Sequence, residues 1–146
     1  PAVGGGPVLD LPLPVKAFYG FGLMPDAADK IDHALPPAEP VAAGVNPAHG
    51  EYVANMCKGC HGAALTGGKI PGGPPDWPQA ANLHPGSTMA RYATPEALMQ
   101  MFKTGKRPDG SAVRVMPFGS LRELNETDVR ALHLYLSGLL VDSSKS

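Results

Sequence analysis

Residues 57 to 61 read "CKGCH" and hold the only two cysteines of this 146-residue chain. Two thiols at this spacing, with a histidine directly after the second, can do four things. They can supply half of a zinc site, form a thiol redox pair, close a short disulfide, or attach a c-type haem covalently. Zinc needs four ligands, commonly as two separated pairs, and the chain has no second C-x-x-C and no two histidines three to five residues apart. His49, His61 and His84 would have to be recruited singly. A redox pair belongs at the start of a helix that follows a strand, where the helix terminus lowers a thiol pKa, and nothing before Cys57 reads as such a strand. Haem attachment uses the histidine as well as both thiols.

The elements that must position these groups are written in helix signals. In "NPAHGEYVANMCKGCHG" Asn46 is an N-cap and Pro47 takes the first helical position, so a helix runs into the cysteines. Cys57 and His61 are then i and i+4 with Cys60 one position over, and all three can face one flat ligand. A second helix opens at "TPEALMQMFKTG", capped by Thr94, started by Pro95 and stopped at Gly105, with Leu98, Met101 and Phe102 as its apolar stripe. A third opens at "NETDVRALHLYLSGLL". Asn125 caps it, Asp128 holds the third helical position, and Val129, Leu132 and Leu136 form the buried face. No stretch alternates as a strand would, so the fold class expected is all-α. Residues 62 to 90 read as irregular loop, unusually long for a compact domain. A large cofactor that supplies part of the core accounts for it.

Composition divides the chain into a Pro/Gly-rich N-terminal arm or tether, residues 1–45, and a domain of residues 46–146. In the arm, proline and glycine prevent any long helix or central strand, while Leu11, Leu13, Phe18, Tyr19 and Phe21 suggest that part of it packs. Residues 1 to 56 carry two Lys/Arg against six Asp/Glu, and residues 57 to 114 carry seven against three. That modest basic segment, in a chain with a pI near 6.6, is no nucleic-acid signature. It does offer Lys58, Lys69, Lys103, Lys106, Arg107 and Arg114 as a positive rim, against which the acidic arm residues Asp26, Asp29 and Asp32 could fold. No 18-residue apolar run free of Gly and Pro exists, and no basic segment with an apolar run opens the sequence. The expectation is a soluble, processed chain without a transmembrane segment.

If His61 binds iron on one face of a haem, a further side chain must meet the other. Met56 adjoins Cys57 on the attachment side, and Met99 and Met101 sit on a predicted helix at core spacing. Met89 falls in loop. Met116 precedes Pro117 in "VMPFG", where proline forces the preceding residue into an extended conformation and stiffens the strap that presents it. Met116 is the preferred candidate, with a buried core methionine as the alternative.

Taken in order, "GEYVANMCKGCHG", "MPF" and "LNETDVRALHLYL" resemble a class I c-type cytochrome, over roughly residues 46 to 140. The resemblance implies the class I cytochrome c fold, three to five helices around one covalently bound haem c, with the first and last helices crossing. Gly50, with Tyr52 or Val53, would then meet the Leu132, Tyr135 and Leu136 face. It implies Cys57 and Cys60 as thioether sites and His61 and Met116 as axial iron ligands. A proline carbonyl, from Pro71, Pro74, Pro75 or Pro78, would accept the His61 N–H, and Trp77, Asn82 and Arg91 could reach the haem carboxylates. The function implied is electron transfer between redox protein partners, with no catalytic residues and a periplasmic location. The arm resembles extensions of bacterial cytochromes that serve dehydrogenases or oxidases. The alternative is a haem enzyme or gas sensor whose sixth ligand is easily displaced.

Overall fold

The computed structural model describes residues 12–23, 31–32, 34–36 and 38–139. The chain divides into two compact units, Pro1–Glu39 and Pro40–Ser146, a few residues before the composition boundary at 45/46. In the first unit, α1 (Leu13–Gly20) is a short helix with proline in its first turn, where the missing N–H costs nothing. None of its residues is buried, and Leu11, also expected to pack, lies outside the described residues.

The second unit holds α2 (Pro47–His61), a 3₁₀ turn (Thr88–Arg91), α3 (Pro95–Thr104), the single turn α4 (Phe118–Leu121) and α5 (Glu126–Ser137). Among the described residues there is no strand, and the only β pairings are the isolated bridges Gly68–Ala80 and Lys106–Ala112. The three predicted helix starts are all present as side-chain caps. Asn46 accepts from the His49 N–H, Thr94 from Ala97 and Asn125 from Asp128, each satisfying a donor that the helix itself cannot. Leu98, Met101 and Phe102 of α3 and Val129, Leu132 and Leu136 of α5 are buried, as their spacing predicts.

Helices α2 and α5 make the main crossing. At Gly50 a Cβ would strike the Ala131 carbonyl oxygen and stand 2.6 Å from the Tyr135 Cβ, so the backbones touch where a side chain would hold them apart. Of the expected Leu132, Tyr135 and Leu136 face the glycine meets Tyr135, and beside it Ala131, one residue before Leu132. The crossing is braced at its end by a bond between first-turn residues. His49 Nε2 lies 2.7 Å from Asp128 Oδ1, and His49 Nδ1 is buried without a partner, so the proton that Asp128 accepts sits on Nε2. His49 is thus a brace between the two helices. Replacing Gly50 with alanine is expected to cost roughly 1–3 kcal/mol or more, because the obstacle is backbone and cannot swing aside. A denaturant midpoint equal to that of the parent protein would contradict the close crossing.

Candidate haem site

Between the last turns of α2 and the two later helices lies a cavity of about 620 Å³, counting the space open at its mouth. Helix α2 delivers Cys57 and His61 to one wall, one above the other as their i, i+4 spacing requires. Cys60 departs from the expectation that all three share the face: it is exposed and does not line the cavity.

The His61 ring is fixed by Ala81, which also lines the cavity. Its Nδ1–H donates to the Ala81 carbonyl at 2.7 Å, which selects the tautomer and leaves Nε2 as the nitrogen able to bind a metal. The acceptor is Ala81 and none of Pro71, Pro74, Pro75 or Pro78. Those prolines lie earlier in the loop, and three of them shape a separate surface hollow with Trp77. Leu65 is folded under this loop, fully buried at φ 59°, with its carbonyl accepting from the Leu83 N–H at 2.9 Å.

Other walls come from α3, through Leu98, Met101 and Phe102, and from α5, through Leu132 and Leu136. Three methionines reach the cavity: Met89, Met101 and Met116. Met89 belongs to the 3₁₀ turn, where the sequence suggested loop, and is 5 % exposed; Met101 is equally buried in α3. Met116 is held differently. Pro117 has φ −79° and ψ 63°, and the Phe118 N–H donates to the Met116 carbonyl at 2.9 Å, which together make an inverse γ-turn. Met116 stands half-buried at the start of that stiff turn, outside any helix. Met99 packs against the core, and Met56 is exposed; neither lines the cavity.

The polar side chains of the wall are few. Besides His61 and Cys57 they are Thr88, Tyr92 and Arg107, whereas Trp77, Asn82 and Arg91, expected at the haem carboxylates, do not line it. Arg107 is placed by a small hairpin. Lys106 bridges Ala112, the Arg107 N–H donates to the Ser111 carbonyl, and the Arg107 guanidinium donates to Ser111 Oγ and the Ala112 carbonyl. The Tyr92 carbonyl accepts from His133 Nε2 at 2.7 Å, tying the 3₁₀ turn to α5. Burial pushes the Tyr92 hydroxyl pKa up, with Arg107 and Arg91 opposing that shift. Of the expected positive rim, Arg107 lines the cavity. Asp32 of the arm is exposed, and Asp26 and Asp29 lie outside the described residues.

The thiols themselves argue against disulfide exchange. Both are free, and burial, with Cys60 beside it, pushes the Cys57 thiol up to about 11, where a redox pair needs a lowered value. Among the described residues no three His, Cys, Asp or Glu side chains gather as a metal site. A ring-shaped group does fit: a mainly apolar cavity, a thiol and an oriented imidazole on one wall, and thioether sulfurs among the others.

Residues 48–140, more than half of the chain, match the family model for cytochrome c. The chain belongs to the cytochrome c family. It is a mainly helical, haem-based electron-transfer protein, and the family carries haem c covalently, which the Cys57–Cys60 spacing fits. No curated protein and no solved structure matches it. Acid-acetone extraction of the holoprotein is therefore expected to leave the haem on the chain. After replacement of Cys57 and Cys60 by alanine, the extract should take up all the colour; haem stripped from the unaltered protein would contradict the attachment.

Proposed function

We propose that this chain carries single electrons between redox protein partners through a six-coordinate haem iron with His61 and Met116 as axial ligands. The bound group supplies the reversible Fe(III)/Fe(II) couple. The chain supplies its ligation, burial and orientation. Cys57 lies beside His61 on the cavity wall, and Cys57 and Cys60 would hold the haem by thioether bonds. His61, fixed by Ala81, would offer Nε2 to the iron. A thioether favours Fe(II) relative to nitrogen donors and so raises the potential. With His61 and Met116 both on the iron, no coordination site would remain for oxygen or peroxide, as a carrier requires and an enzyme or gas sensor does not.

The observation that carries this reading is the turn at Met116–Pro117. Of the three methionines at the cavity, Met89 and Met101 are buried in helical turns and read as packing. Met116 alone is presented by a proline-stiffened segment between elements. Tyr92 and Arg107, as hydroxyl and fixed guanidinium, supply donors for the haem carboxylates in place of the residues suggested by sequence. Partners of the dehydrogenase or oxidase type and a periplasmic location rest on the family resemblance. Among the described residues no helix is long and apolar enough to cross a membrane.

The test is Met116→Ala. It should abolish the sulfur-to-iron charge-transfer band at the red end of the oxidised spectrum, lower the reduction potential and open the reduced iron to carbon monoxide, with the haem still attached. Met89→Ala and Met101→Ala should keep the band and cost roughly 2–5 kcal/mol each in stability, as buried truncations do. A band that survives Met116→Ala, or carbon monoxide binding by the unaltered reduced protein, would overturn the ligand assignment.

A further inference from the structure

After His61 the chain must turn back far enough for a carbonyl to reach the outer edge of the imidazole, and Gly67 is where the returning backbone passes closest. The Gly67 N–H donates to the His61 carbonyl at 2.8 Å. Its neighbour Gly68 exchanges two hydrogen bonds with Ala80, at 2.9 and 2.8 Å. These bonds press the Ala80–Ala81 peptide against Gly67. A Cβ there would run into the Ala80 carbonyl oxygen and stand 2.6 Å from the Ala81 carbonyl carbon and 2.7 Å from its oxygen. All are backbone atoms, and the last is the oxygen that accepts from His61 Nδ1.

We propose that Gly67 is a positioning residue for His61: its missing side chain lets the Ala81 carbonyl approach the ring, and that approach sets the reduction potential. The inference rests on His61 being the proximal ligand, as proposed above. A close acceptor on Nδ1–H makes the opposite nitrogen a better electron donor and so favours the oxidised iron. Any side chain at residue 67 pushes the acceptor away, weakens that donation and shifts the couple toward the reduced form.

Gly72 provides the control. Its φ of 70° matches the 76° of Gly67, but a Cβ on it meets nothing within 4 Å. Alanine at either place carries the same left-handed backbone cost, and only Gly67→Ala displaces Ala81. In the holoprotein, Gly67→Ala should raise the potential by on the order of tenfold in the redox equilibrium, about 59 mV for one electron. It should also speed solvent exchange of the His61 Nδ1–H, followed by NMR with labelled histidine. Gly72→Ala should leave both unchanged. Should Gly67→Ala not fold, Ala80→Pro removes the N–H given to the Gly68 carbonyl, loosens the same peptide with Gly67 intact, and should move potential and exchange in the same directions. Unchanged potential and exchange in the variant that folds, or an equal shift in Gly72→Ala, overturns the proposal. A His61 ring resonance that does not respond to the oxidation state of the unaltered protein shows that His61 is no ligand, and the ligation reading falls together with the proposal. If it does respond while Gly67→Ala changes nothing, the role of Gly67 fails alone.

Discussion

Gly50 lies against the Ala131 carbonyl, and at that contact α2 and α5 meet with no side chain between them. Everything in the site inherits its geometry from this approach. Helix α2 carries Cys57 and His61 on the turns that follow Gly50, and α5 carries Leu132 and Leu136 on the turns that follow its contact. The spacing between the two backbones therefore sets the distance between a ligand wall and an apolar wall. The His49–Asp128 bond adds direction, because it joins residues in the first turn of each helix and so resists rotation about the crossing. Removing Asp128 would leave the buried His49 ring without its bond, the costly half of hydrogen-bond energetics.

Most of the buried apolar side chains also line the cavity, among them Tyr92, Phe102 and Leu121. The core is thus arranged around the cavity, and a bound ring would complete it. That explains how a domain of this size sustains the irregular stretch between α2 and α3. Its stability comes from ties at fixed points: Gly67 to His61, Gly68 to Ala80, Leu83 to Leu65, and Tyr92 to His133. Leu65 accepts an unfavourable left-handed conformation inside this stretch, at a cost on the order of 1–3 kcal/mol, in exchange for complete burial.

What the sequence disclosed was local. Asn46, Thr94 and Asn125 act within three residues of themselves, so their chemistry is readable from neighbours alone, and the helices they start lie where expected. The stiff turn at Met116–Pro117 was legible for the same reason, because Pro117 restricts the residue before it. The acceptor for His61 was not, since every residue owns a carbonyl and only the fold decides that the one at 81 arrives. Tyr92 was not named, and Arg107 was named for the positive rim but not as a cavity wall, because the hairpin that aims it is a backbone feature with weak sequence signals, chiefly the turn residues "PDGS" at 108–111. The His49–Asp128 brace spans 79 residues. Its one clue was that both residues follow an asparagine N-cap at the same offset, which puts them on matching turns.

The central claim is that a ring lies in the cavity with His61 on one face and Met116 on the other. Proton NMR of the reduced, diamagnetic holoprotein with methyl-labelled methionine tests it most directly, because a methyl group held over the face of an aromatic macrocycle is shifted far upfield by the ring current. Axial ligation by Met116 predicts one methionine methyl signal in that region, lost in Met116→Ala and kept in Met89→Ala and Met101→Ala. No upfield methionine methyl, or one that disappears with Met89 or Met101, would contradict it.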